Sequence, residues 1–192
     1  HMIIVGHNDA IYLLFWYNHR MSTEHIIEYY PNGQKKSEGR YDDYHPVGNQ
    51  ISWYENGNKQ YGSIELDEFT EMTTCWYENG QKKSRGARTE HWETGLWTEW
   101  YENGNKKSEG LYKGKDERDG EWKFWHSNSQ LACTGIHKGW GGDGVWVFWD
   151  ETGNKVHERE YRKFELLNVW KSLREDGCSD DLVSKYKQYI FS

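Results

Sequence analysis

One stretch, Trp100-Tyr101-Glu102-Asn103-Gly104-Asn105-Lys106-Lys107-Ser108-Glu109-Gly110, recurs along the chain and dictates what it can become. Close copies run from Tyr29 to Gly39, from Trp53 to Lys59 and from Trp76 to Ser84, and two worn copies lie around Trp125–Gln130 and Trp149–Lys155. With Gly33, Gly57, Gly80, Gly104, Ser129 and Gly153 aligned, the steps are 24, 23, 24, 25 and 24 residues. A fixed period of this length is the mark of a repeat array, in which each unit contacts mainly its neighbours and cannot bury its apolar face alone.

Each unit carries its own local instruction. Asn-Gly between two strand-like runs signals a tight hairpin, and a two-residue type I′ turn is expected there, with positive φ at both residues. Aromatic and β-branched residues precede the turn and polar residues follow it, as a solvated second strand requires. Gly48, Gly95, Gly120 and Gly144 open the next strand. Ser129 replaces the turn glycine and is expected to need another geometry. Isolated hairpins are marginal in water, so the units must stack.

Columns read down the repeats show what they stack. Four residues before the turn glycine stand Tyr29, Trp53, Trp76, Trp100, Trp125 and Trp149. This column stays aromatic in every copy and is expected to hold the sheet together. One residue later the column Tyr30, Tyr54, Tyr77, Tyr101, His126, Asp150 frays towards the C-terminus. Seven before the turn come Ile26, Gln50, Thr73, Trp97, Trp122 and Trp146, aromatic only in the last three copies. Alternation along a strand puts Trp97, Tyr101, Trp122, Phe124, Trp146 and Phe148 opposite the Trp100-type column. That enrichment makes these six the candidate binding residues, and a binding face requires them to be at least partly exposed.

The pattern Gly-x-Trp-x-x-Trp/Tyr-Tyr-x-x-x-Gly-x-Lys resembles the MORN repeat in its bacterial variant form, with six copies over residues 26–161 and departures at Ser129, at Arg159 and after Ile64. The resemblance implies a mainly β fold, an elongated single-layer antiparallel sheet of repeated β-hairpins, with no catalytic centre of its own. It implies service as a scaffold, a dimerisation element or a protein- or membrane-binding module, and some bacterial relatives are labelled antitoxins.

Outside the array, residues 1–25 are expected to supply an N-terminal capping strand at Ile11–Tyr17, after a His1-Met2 pair that reads as a cloning remnant. Residues 162–192 are expected to form a short helical cap, from Phe164, Leu167, Trp170 and Leu173 at helical spacing and a second run from Leu182 to Ile190. Within the array, Glu65, Asp67, Glu68 and Glu71 make an acidic edge, which is either a solvated strand face or a dock for a basic partner. The Gly-rich stretch Gly139–Gly144 reads as a loop carrying Trp140.

Composition narrows the function. Against 24 basic side chains stand 31 acidic ones, for a net charge of −7, which disfavours nucleic acid and anionic bilayers. Cys75, Cys133 and Cys178 are widely spaced without a C-x-x-C pair, so neither a metal nor another cofactor is expected, and a reducing, cytoplasmic setting is. No stretch reads as a membrane span. The nine histidines fall at non-equivalent positions, and no nucleophile or zinc-protease motif occurs, so the chain is not expected to be an enzyme. The expected function is a non-catalytic protein–protein interaction module, an inhibitor or antitoxin-like protein of bacterial or phage origin, whose partner is a toxin or effector with a basic surface. The alternative is a sheet that binds a small ligand (a sugar, nucleotide or lipid headgroup) on the aromatic columns of repeats four to six.

Overall fold

The computed structural model describes residues 23–161, apart from Tyr44, Asp116 and Trp140. Its strands are β1 (Glu24–Tyr29), β2 (Lys35–Asp42), β3 (His45–Trp53), β4 (Lys59–Glu65), β5 (Thr70–Trp76) and β6 (Lys82–Thr89). They continue as β7 (Trp92–Trp100), β8 (Lys106–Lys113), β9 (Arg118–Trp125), β10 (Leu131–Lys138), β11 (Gly142–Trp149) and β12 (Lys155–Tyr161). All twelve form one antiparallel sheet in sequence order, so six hairpins follow one another as the period requires. Among the described residues there is no helix. The expected capping strand and helical cap lie outside the described residues.

The hairpin turns differ in type from the expectation. Only the glycine is left-handed, with φ between 85° and 87° at Gly33, Gly57, Gly80, Gly104 and Gly153. None of the preceding asparagines has positive φ. Each loop is a three-residue turn closed by the glycine N–H on the carbonyl three residues back, 2.9 Å for Gly104 to Tyr101 and 3.1 Å for Gly153 to Asp150, and followed by a bulge. Asparagine is there for its side chain. Its Oδ1 accepts the N–H two residues on (2.9 Å for Gln81 on Asn79), and its Nδ2 donates to the next turn's carbonyl, 2.8 Å from Asn79 to Glu102. Ser129 keeps the same geometry at φ 72°, contrary to the expectation of a different turn. A non-glycine residue there is strained by about 1 kcal/mol. Ser129→Gly should therefore raise the melting temperature, by about 2–4 °C for a chain of this size. A melt that is unchanged would show the serine to be unstrained.

The fraying tyrosine column is a ladder between repeats. Tyr30, Tyr54, Tyr77 and Tyr101 each donate their hydroxyl to the carbonyl of the next Trp, 2.7–2.9 Å away, at Trp53, Trp76, Trp100 and Trp125. His126 makes the same link to Trp149 at 2.8 Å. Asp150 has no further described repeat to reach and folds back on its own turn, accepting from the N–H groups of Thr152 and Asn154.

Connections between hairpins also follow their glycines. Gly48, Gly95, Gly120 and Gly144 take φ of 66–71° at a bulge opposite the preceding strand. Glu71 holds the equivalent position in the remaining connection, and there the β4–β5 ladder runs without a bulge. A residue with a β-carbon resists the left-handed conformation, so the bulge is lost where the glycine is. This is the irregularity expected after Ile64.

Candidate binding surfaces

The sheet has two unlike faces. On one, the five rings proposed as binding residues, Trp97, Trp122, Phe124, Trp146 and Phe148, are 0–4% exposed. The requirement that they be partly open is not met; they are the core. Each indole of this set lies on a glycine of the preceding strand: Trp97 on Gly86, Trp122 on Gly110 and Trp146 on Gly135. Each donates Nε1–H to a backbone carbonyl, at Ala87, Leu111 and Ile136, 2.9–3.1 Å away. Trp122, Phe124, Trp146 and Phe148 stack in turn at centroid distances of 5.8–6.4 Å, while Tyr112 and His137 meet the indoles edge-on. The rings thus have their polar atoms satisfied and their surfaces covered, which is the chemistry of packing. Tyr101, the sixth candidate, is not among them. It lies past the end of β7, in the turn, where strand alternation no longer applies, and its hydroxyl serves the ladder.

The glycine seats are the signal that column reading missed. Where the indole gives way to Thr73, the seat is Ser63, and where no described repeat follows, it is Arg159. Gln50, over Gly39, even copies the indole's bond, donating from Nε2 to the Arg40 carbonyl at 3.0 Å.

The Trp100-type column lies on the other face, partly exposed, in a row that alternates with lysines. Lys35, Lys59, Lys82 and Lys106 sit 5.1–5.8 Å from the centroids of Trp53, Trp76, Trp100 and Trp125. Such contacts are worth about 0.5–1 kcal/mol each at exposed sites. The connection-side rim of this face is open: Ile64, Leu96, Leu111, Ile136 and Val145 are 47–60% exposed.

A third surface stands at the edge where β4 turns into β5 and β6 into β7. Leu66, Phe69 and Trp92 are 55%, 59% and 44% exposed. The two turns are tied by the Glu90 N–H on the Phe69 carbonyl at 3.2 Å. Glu90 and His91 both have positive φ, 51° and 74°, and form between β6 and β7 the two-residue turn expected at Asn-Gly. Around the apolar side chains stand Glu65, Asp67, Glu68, Glu71 and Glu90, none within ion-pair distance of a described cation. Glu65 and Glu71 are direct cross-strand partners. Asp67 is held below the usual carboxylate range, first by the backbone N–H of Phe69 and then by the Thr70 hydroxyl.

Burial pushes the Cys133 thiol far up, the reverse of an activated nucleophile. Among the described residues no group of three or more His, Cys, Asp or Glu could hold a metal ion, and no helix is long and apolar enough to cross a membrane.

A single sheet of stacked hairpins, tied at each turn by tyrosine and asparagine and seated on glycine, defines a hairpin-repeat protein. The family model described as MORN repeat variant matches residues 25–43, 93–113 and 118–138, within the first, fourth and fifth units. These three stretches are MORN repeats of the variant type. No curated protein matches its sequence. Among solved structures, TarM covers 69% of this chain at 9% identity with a TM-score of 0.33. A TarM mutant from S. aureus, in complex with fondaparinux, alpha-GlcNAc-glycerol and UDP, gives 69%, 8% and 0.33. This chain spans 23% of the length of either. A protein of unknown function from Bacteroides fragilis covers 78% of this chain and is itself 99% covered, at 12% identity and a TM-score of 0.17. Likenesses this distant carry no argument about function.

Proposed function

We propose that the chain is a non-catalytic protein-interaction module, antitoxin-like or inhibitory in a bacterium or phage and cytoplasmic, whose protein partner presents a basic surface. The observation that supports this reading is the edge cluster of Leu66, Phe69 and Trp92 inside its acidic rim. Exposed aromatics in a small patch are the usual anchors of an interface, at about 2 kcal/mol or more each when they count. The rim gives the partner its sign. Glu65 directly opposite Glu71 is unfavourable in the free sheet, Arg88 across from Glu71 on β6 offsets it only in part, and a cation from a partner relieves the rest. The rings of repeats four to six, buried as they are, give the small-ligand alternative no open platform.

The test is a capture from the native host with wild type and with Phe69→Ala/Trp92→Ala, quantified by mass spectrometry. Both side chains are exposed, so the double variant should melt like wild type. A basic protein held at fixed stoichiometry by wild type, and weakened about 100-fold or more in the double variant, is the expected result. It should also dissociate with rising salt. The same protein held equally by both forms would overturn the assignment.

A further inference from the structure

The open face carries an irregularity that the array does not require. At the second position after the turn, Lys35, Lys106 and Lys155 each pair with a glutamate three residues on: Glu38 at 2.7 Å, Glu109 at 2.8 Å, and Glu158. In the second repeat that glutamate is Gly62, and in the third it is Arg85. Lys59 therefore has no acid, and Arg85 adds a further cation two strands away. Neither they nor Arg40 makes an ion pair within the described residues.

These three cations surround a depression. Gly62 leaves its floor without a side chain between Ile51 and Thr74, its partners on β3 and β5. The edge of the Trp76 indole stands beside it, 3.4 Å from where a Gly62 β-carbon would be. Arg40, Lys59, Arg85, Trp76 and Asn49 line the cavity, whose volume is about 690 Å³. Asn49 accepts the Glu65 N–H on its Oδ1 at 3.0 Å, which leaves its NH₂ as a donor. Two acids also reach the rim. Glu38 is engaged by Lys35 and His25, and Glu65 stands at the far end of β4.

We propose that this groove binds a small organic phosphate, a phosphate monoester by chemistry. The donors are of one kind: two guanidinium forks that fit phosphate oxygens in pairs, an ammonium and an amide. The floor at Gly62 and the apolar edges of Ile51 and Trp76 receive the organic body. The volume is of the order that small-ligand sites have, about 300–1,000 Å³. In a chain of net charge −7, a local excess of unpaired cations across three successive repeats is a placed feature.

Calorimetric titration of the full chain with glycerol phosphate, inorganic phosphate and glycerol tests it. Wild type should bind glycerol phosphate saturably, more tightly than inorganic phosphate, and should ignore glycerol. Gly62→Glu restores the acid that repeats one, four and six carry, at a backbone φ open to any residue. It fills the floor and pairs Lys59, so its melting temperature should hold or rise while affinity falls at least about tenfold, the loss of one charge-assisted bond. Arg85→Gln should weaken binding without touching the floor. No saturable binding by wild type, or equal affinity in Gly62→Glu, would sink the proposal. The titration involves no protein partner, so its failure leaves the edge cluster of Leu66, Phe69 and Trp92 where it stood.

Discussion

Trp146→Ala should cost about 3–5 kcal/mol of folding stability, the range for a large aromatic truncated in a core. The side chain is 0% exposed, lies on Gly135, and is flanked by Phe124 and Phe148 at 6.4 Å. His137 and Tyr161 meet it edge-on at 4.9 Å and 6.4 Å. Its removal loses the transfer energy of the ring, leaves a cavity that these neighbours cannot close, and strips the Ile136 carbonyl of a 3.1 Å bond. Trp100→Ala removes a ring of equal size from the partly exposed row, where no closed cavity results, and should cost roughly half as much. Thermal melts of the two variants check this. A larger loss at Trp100 would return the structural role to the column that is aromatic in every copy.

That column shows where sequence reasoning ended. Its persistence in all six repeats marked it as essential, and the period, strand order and hairpin number were all legible from the same motif. Persistence, however, does not distinguish a ring buried against a core from one capped by a lysine ammonium. The side-chain alternation rule failed for a definable reason. Each strand before a turn ends at its Trp100-type residue, so Tyr101 lies already in the turn, where period-two alternation no longer applies, and the bulge at Lys107 falls on the strand that follows. Asn-Gly was read as a type I′ turn because the dipeptide tolerates positive φ, whereas here the asparagine amide is used to bond the next repeat. The two-residue turn Glu90–His91, with positive φ at both positions, has no glycine or asparagine to announce it.

The candidate surfaces were legible in pieces. The acidic run from Glu65 to Glu71 was visible as charge, but Trp92 lies more than twenty residues further on and comes beside it only through the pairing of β5 with β6 and of β6 with β7, together with the Phe69–Glu90 hydrogen bond. Gly62 was hidden for the opposite reason. It is a missing glutamate in a column of otherwise charged or polar residues, and its meaning depends on Lys59, Arg40 and Arg85 sharing one face on alternate strands. Five of the six rings chosen as a site did share a face, but aromatic enrichment is equally the signature of a core.

Gly135→Ala should be almost as damaging as losing the indole above it, at about 3 kcal/mol, the upper end of overpacking costs. The added β-carbon would sit far closer than 3.0 Å to three atoms of the Trp146 ring system. These atoms belong to a fused ring that cannot swing aside as a chain end would. The Nε1 bond to Ile136 fixes one edge, and Phe124 and Phe148 block the flanks. Relief must come from moving the whole indole or separating β10 from β11. Gly62→Ala is the control, since its nearest ring atoms are 3.4 Å away and its φ is unremarkable, and it should be near neutral. The stronger test is the cycle with Trp146→Ala. Once the indole is gone the methyl has room, so Gly135→Ala should cost little in that background, and the two changes should couple by more than about 1 kcal/mol. The chain already contains this compensation, because Ser63 precedes Thr73 where Gly86, Gly110 and Gly135 precede tryptophan. Additive losses in the cycle would show that these glycines are kept for backbone freedom alone, with no part in seating the rings.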